Sequence, residues 1–383
     1  MFLFKKKSKT RLGLDIGTSA IKLVELEQAE GRYKLKTYGI FPLTGYLNHL
    51  GEYLRIEPLK MPEPQLAEMI KKILREARTE SREVCLSVPV YSSFSTLIDL
   101  PFMPAQEIAK AIPFEAKKYV PVPISEVILD WSVIKRVKSG VDRPSIDQTQ
   151  TDILAGSAGQ DKSNNQPEPE KKTDAQGIQI LLVAVPKKTV TRYARVIQLT
   201  GLELKALEAE TFSLARSLVG NDKSPIVIVD TGARSSNISI IDDGYIRVTH
   251  NLEVGGGELT RNLSQKMNIS FEAAEEMKKT TGGQSGQLVG RESVISVLDI
   301  IAAEIKKIVN HYQIKYNRRI EKCILAGGGV MVAGLLDYFS SKLGLEISLG
   351  SPFARIAYPS TLEPAIKELG LSLAVAAGLA MRE

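Results

Sequence analysis

The feature that most constrains this chain is a unit that occurs twice. One apolar run ends in Asp-x-Gly at Asp15 to Gly17, and a second does so at Asp230 to Gly232. Two short strand-like segments follow each turn: Ala20 to Glu27 and Tyr33 to Ile40 in the first half, Asn237 to Ile241 and Tyr245 to His250 in the second. Each half therefore predicts a three-strand antiparallel meander. In the first half Pro64 opens a helical pattern with Leu66, Met69, Ile70, Ile73 and Leu74 on one stripe, and Val84 to Val88 follows as a buried strand. A repeated βββαβ unit implies a duplicated fold, and 383 residues exceed what one hydrophobic core usually supports.

Residues 89 to 137 change character, with Pro89, Pro101, Pro104, Pro113, Pro121 and Pro123 punctuating short strands and a helix near Ala105 to Tyr119. This reads as a small inserted subdomain. From Lys138 to Gly177 there is no Phe, Tyr or Trp, so the segment has little to bury against its ordering entropy and is expected to be a disordered surface loop. Order is expected again at Ile178 to Val185 (strand), Lys187 to Leu199 (helix), Leu202 to Leu207 (strand) and Glu210 to Leu218 (helix). The second half carries helices at about 256 to 267, 270 to 280 and 291 to 317, a strand Lys322 to Leu325, and a final helix over Pro364 to Met381. The domain expectation is a first core of 1–88 and 186–222 with part of 364–383, an insert of 89–185, a second core of 223–257 and 320–383, and a helical subdomain of 258–319.

Composition excludes several classes. A net charge of +6 is too modest for this length to imply nucleic acid. Cys85 and Cys323 are far apart in apolar runs, which rules out a disulfide scaffold and fits a reducing cytoplasm. No apolar run reaches the roughly 18 residues of a membrane span. His49, His250 and His311 lack metal-ligand spacing. Trp131 reads as insert core, and Lys306, Lys307, Lys315, Arg318 and Arg319 as a basic helix face. The basic N-terminus, Lys5 to Arg11, reads as a solvated tail.

The chemistry sits in the turns. In Asp15, Gly17, Thr18, Ser19 and Lys22, glycine and small hydroxyl residues let backbone N–H groups face a phosphate, and Asp15 can hold Mg²⁺ through water. Asp230, Thr231, Gly232 and Arg234 repeat the design, so two turns can grip phosphates from both sides, with Asp230 as a second metal carboxylate. Gly255, Gly256 and Gly257 precede a helix, and Gly327, Gly328 and Gly329 end a strand; both allow close approach to a nucleotide. Neither has P-loop spacing, and no strand-GxGxxG-helix unit occurs.

These motifs, in this order, resemble those of the actin-like ATPases, the superfamily of actin, sugar kinases and heat-shock chaperones. Asp15 to Lys22 looks like the first phosphate motif, Asp230 to Ser235 the second and Ala326 to Gly329 the adenosine motif. Glu275 and Lys278 look like the helix pair that contacts ribose and adenine in bacterial members. The implied fold is α/β: an actin-like (ribonuclease H-like) two-lobed fold with a duplicated βββαβα core and an inserted small α+β subdomain. Within it, Asp15 to Leu26, Leu100 to Met103 and Ala111 to Ala116 resemble the PilM family of type IV pilus assembly, itself similar to the division protein FtsA.

The resemblance implies ATP with Mg²⁺ as ligands and a cytoplasmic location peripheral to the inner membrane. It also implies a partner: the cytoplasmic N-terminal peptide of a single-span, PilN-like membrane protein, expected in a groove beside the insert. Self-association stays open, nucleic acid is not expected, and membrane association is expected mainly through the partner. Hydrolysis needs a residue that positions water; Glu208 and Glu210 are candidates, Glu210 aligning better, although Thr211 stands where relatives carry Pro. Asp15 is the other candidate catalytic group, and turnover is expected to be weak or absent. The alternatives are an FtsA-like filament scaffold and a small-metabolite kinase.

Overall fold

A computed structural model describes residues 9–29, 31–43, 60–137, 177–280, 291–332 and 334–383. The expected loop at 138–177 falls almost wholly outside these residues, as do the basic residues Lys5, Lys6 and Lys7. The chain opens with β1 (Lys9–Ile16), β2 (Ala20–Ala29) and β3 (Arg32–Pro42), then α1 (Glu63–Ala77) and β4 (Glu83–Val88). Pro62 and Pro64 start α1 where missing amides cost nothing, and Arg78 in the left-handed region (φ 53°) ends it. The insert follows as β5 (Phe94–Pro101), α2 (Ala105–Ala116), β6 (Val127–Val137) and β7 (Gly177–Pro186). The first half closes with α3 (Lys187–Thr200), β8 (Glu203–Ala209) and α4 (Glu210–Leu214). The turn after α4 widens to a π-helix over Ala215–Val219, where the sequence pattern predicts plain helix to Leu218.

The second half runs β9 (Ile226–Thr231), β10 (Ser236–Asp242), β11 (Tyr245–Leu252), α5 (Gly256–Met267), α6 (Phe271–Thr280) and α7 (Arg291–Tyr316). It ends with β12 (Lys322–Ala326), α8 (Leu335–Leu343), β13 (Glu346–Leu349), β14 (Ile356–Ala357), α9 (Glu363–Leu369) and α10 (Ala374–Ala380). The expected single helix over Pro364 to Met381 is in fact two, joined by a 3₁₀ segment over Gly370–Leu373. In this segment the Leu371 carbonyl accepts the Ala374 amide and also the Gly327 amide at 3.3 Å, tying the bend to the end of β12.

The duplication is explicit in the sheets. The first is ordered β14-β3-β2-β1-β4-β8 and the second β11-β10-β9-β12-β13, with both meanders antiparallel and the β1–β4–β8 and β9–β12–β13 runs parallel. Leu66, Ile70 and Ile73 of α1 and Tyr193, Val196 and Ile197 of α3 cover one face of the first sheet. Leu373, Ala376, Ala377 and Ala380 at the C-terminus cover the other, against Val24 and Leu26. In the second half, Leu259 of α5, Ile301 and Ile305 of α7 and Phe339 of α8 share one core with Val227, Val229, Ile238 and Ile240.

The insert is a three-stranded sheet, β5-β7-β6, with Ile108 and Ile112 of α2 on one face. Trp131 packs at the margin of that core, as its strand pattern predicts. The sheet's other face, through Leu97, Leu181 and Val183, lies on Ile228, Ile241 and Ile246 of the second half. The insert thus braces the two halves as well as extending the first. Among the described residues no helix is long and apolar enough to cross a membrane.

Candidate functional site

β1, β9 and β12 end together at the mouth between the halves, and each ends in a turn with small residues. In the first turn the Gly17 amide donates to the Ala20 carbonyl at 3.0 Å; in the second the Gly232 amide donates to the Ser235 carbonyl at 2.9 Å. The two Asp-x-Gly turns therefore close by the same bond. Asp15 and Lys22 are register partners on β1 and β2, which puts their side chains on one face, and Lys22 Nζ lies 3.2 Å from Asp15 Oδ2. Asp230 and Asn237 are register partners on β9 and β10 in the same way. Asn237 follows Asp230 by seven residues, as Lys22 follows Asp15.

Sequence reasoning missed Asn237, and aligning the two repeats residue by residue would have found it. It also missed Ser87, whose buried hydroxyl donates to Asp15 Oδ1 at 2.8 Å; the signal is a lone hydroxyl at the end of an apolar strand.

Three carboxyls and one ammonium share the mouth. Burial pushes the Asp230 carboxyl up to about 6, with Lys22 opposing and Asp15 adding to the rise. Glu210 is raised well above the usual carboxylate range, first by burial and then by Asp15 and Asp230, although the Val90 amide and Lys22 favour its charged form. Burial acts to lower the Lys22 ammonium, yet Asp15, Asp230 and Glu210 outweigh it and hold that ammonium above its ordinary value. Three carboxyls around one ammonium carry a charge deficit that a divalent cation would offset. Among the described residues no three His, Cys, Asp or Glu side chains could hold a metal ion directly, so any Mg²⁺ here would depend on few carboxylates and its own waters.

The two water-positioning candidates separate sharply. Glu208 is bound at both oxygens by Arg216, at 2.8 and 2.9 Å, and by Arg382 at 2.6 Å, so it is a structural tie to the C-terminus. Glu210 faces the carboxylate cluster, accepting from the Val90 amide at 3.3 Å and from Asn237 Nδ2 at 3.2 Å.

The glycine segments form a close-packed cradle. Gly327 has φ +86°, and a Cβ there would stand 2.4 Å from the Thr231 carbonyl oxygen and 2.5 Å from Asp230 Oδ1. A Cβ on Gly329 would meet Thr231 Cγ2 at 2.6 Å, whereas one on Gly328 would meet Ser372 Oγ at 3.0 Å. Gly256 and Gly257 donate their amides to the carbonyls of Gly232 and Ala233, at 2.8 Å each. These two amides hold the second turn in place rather than facing outward. Gly255 lies against that turn, since a Cβ there would fall 2.7 Å from the Gly232 oxygen.

Lys278 bridges Glu275 Oε2 at 2.6 Å, Thr260 Oγ1 at 2.9 Å and the Gly256 carbonyl at 3.2 Å, which brings α6 to the cradle. Thr231 is buried; Thr18 and Ser19 are half-buried in the first turn, where the Ser19 carbonyl accepts from the Leu43 amide at 2.8 Å. Arg234 leans out of the second turn over the Tyr91 ring at 5.6 Å, spanning from the second half to the segment after β4.

Comparison with known proteins agrees with this geometry. A solved PilM–PilN type IV pilus biogenesis complex contains a chain of the same fold, at TM-score 0.75 and 24% identity, covering 97% of this chain and 98% of that one. The ethanolamine utilization protein EutJ from Carboxydothermus hydrogenoformans matches at TM-score 0.53 and 15% identity, over 99% and 92% of the two chains. Among curated sequences, the cell division protein FtsA of Streptococcus pneumoniae is 21% identical over 194 residues, 45% of this chain and 42% of FtsA. The chain spans less than half the length of the FtsA relatives it matches. The model of the type IV pilus assembly protein PilM matches residues 13–383. The duplicated actin-like fold and a match over residues 13–383 agree: this chain belongs to the PilM family of type IV pilus assembly proteins.

Proposed function

We propose that the chain is a nucleotide-dependent docking protein of the pilus assembly platform, binding ATP with Mg²⁺ between its halves and recruiting the N-terminal peptide of a single-span, PilN-like inner-membrane protein. The observation that carries the nucleotide reading is the pair of equivalent turns with Asp15, Lys22, Asp230 and Glu210 gathered between them. Residues of the Asp15 and Asp230 turns would face the phosphates, Asp15 and Asp230 would hold Mg²⁺ through its waters, and Gly327 to Gly329 with Glu275 and Lys278 would flank the nucleoside. Bound Mg²⁺ would neutralise phosphate charge and relieve the repulsion between the two carboxylates. Turnover is slow in this reading, with Glu210 as the group nearest the water that would react.

The peptide reading is supported by the PilM–PilN complex of like fold and by the insert's surface. Phe114 is 68% and Phe102 49% exposed there, with Tyr119, Val122 and Ile128 also exposed, an apolar surface larger than such a small unit needs. The protein would then sit on the cytoplasmic side of the inner membrane through its partner. Thermal melts with and without ATP·Mg²⁺ test the nucleotide half: ligand at 100 times its dissociation constant adds roughly 2.7 kcal/mol, and an unshifted melt rejects it. For the partner, N-terminal peptides of co-encoded single-span proteins are titrated against the parent and Phe114→Ser; equal affinity for the two would move the groove off this surface.

A further inference from the structure

The polar side chains on one face of the second sheet do not all find partners among the described residues. Asn237, only 6% exposed, donates Nδ2 to Glu210, and its Oδ1 is buried with no hydrogen-bond partner among the described residues. Its register partner across to β11 is Asn251, whose Oδ1 is orphaned too, and Thr249 Oγ1, two residues earlier on that strand, is a third. Strand alternation puts the three on one face. Val248 and Leu252, on the opposite face, pack into the core beside α7. The orphaned face is the one whose apolar members, Ile228 and Ile241, meet the insert and Phe212 of α4.

A buried polar oxygen with no partner carries an uncompensated desolvation penalty, and three on adjacent strands would compound it. In the first half the equivalent position holds Lys22, which satisfies itself directly on Asp15. The carboxamide at that position gives one of its two N–H donors to Glu210, and its oxygen still needs a donor. We propose that Asn237, Asn251 and Thr249 hold a file of ordered water molecules between the second sheet and the inserted subdomain, ending beside Glu210. Each water needs two to four polar partners, and this file draws them from the three side chains and from its own neighbours. The file supplies water to the carboxylate side of the cleft, with Asn237 as the positioning residue; this role rests on the nucleotide reading, whereas the waters themselves do not.

Two measurements on the full chain without nucleotide test the site. A high-resolution crystal structure should show solvent density within about 3.2 Å of all three oxygens; an empty, dry space there overturns the proposal. Thr249→Val should lower Tm by roughly 2–4 °C, because it leaves the bound water a partner short. A rise in Tm would mean that a dry, unsatisfied hydroxyl had been removed, and would also overturn it. Because neither needs ATP, failure here is separate from failure of the nucleotide reading. The supply role is read by single-turnover phosphate release: Asn251→Leu should slow it about tenfold while the ATP-induced Tm shift stays. Equal rates, or no release by the parent, overturn that role.

Discussion

At the scale of single residues, the cleft places charge where folding alone would avoid it. Asp230 is raised to about 6 against roughly 3.9 in an unfolded chain, so its proton is held more tightly in the folded state. Above the folded value both states are ionised and the folded one bears the full cost; below the unfolded value both are neutral and the cost vanishes. Asp230→Asn should therefore raise Tm at pH 7–8, by an amount that shrinks as pH falls from about 6 and disappears near pH 4, while the ATP·Mg²⁺ shift is lost. Equal melts of parent and variant at pH 8 would refute the sign. The two neighbouring glutamates make an opposite pair. Glu208→Ala should cost about 3 kcal/mol by stranding Arg216 and Arg382, with nucleotide affinity kept. Glu210→Gln should not lower Tm at pH 7, because a neutral isostere replaces a carboxyl already biased toward its protonated form. Urea midpoints and nucleotide titrations of both variants check the contrast.

At the scale of elements, β6 and β7 illustrate how a long insertion can leave a sheet undisturbed. Val137 and Gly177 are register partners, so the segment between them leaves and rejoins the sheet at adjacent points. Replacing residues 138–176 with Asn-Gly should give a two-residue hairpin that melts within about 3 °C of the parent, since closure entropy changes slowly with length. Loss of cooperative melting would show that the segment supports the fold. The C-terminal helix α10 is the opposite case, with no slack. A Cβ on Gly378 would stand 2.0 Å from the Ser213 carbonyl oxygen, and one on Gly13 2.1 Å from that of Ala376, so α10 packs backbone to backbone against α4 and β1. Gly378→Ala should cost about 3 kcal/mol by forcing these elements apart, read as a lower urea midpoint. An unchanged midpoint would mean that this packing is looser than the distances say.

At the scale of the whole molecule, α10 and the insert join what duplication alone would leave as two separate halves. Leu214, Ala326, Ala374, Val375 and Leu379 form a core where the halves meet, and the insert adds a second contact through Leu181 on Ile228 and Ile241. The repeated meanders and the two Asp-x-Gly turns were legible in the amino-acid order, because each depends on neighbours two to seven residues apart. Resemblance to the actin-like fold followed from those local motifs in their order. What local pattern could not carry is anything that depends on strands or helices far apart in the chain. Glu208 and Glu210 look alike in sequence, and only the packing of residues 378 and 382 beside one, and of Asn237 beside the other, gives them different work. The final helix is interrupted over Gly370–Leu373, where the Leu371 carbonyl also meets the Gly327 amide, 44 residues upstream. The orphaned oxygens exist only because a third sheet covers them. Periodicity records which face of an element is apolar, whereas burial and hydrogen-bond satisfaction at a given atom are set by whatever that face finally meets.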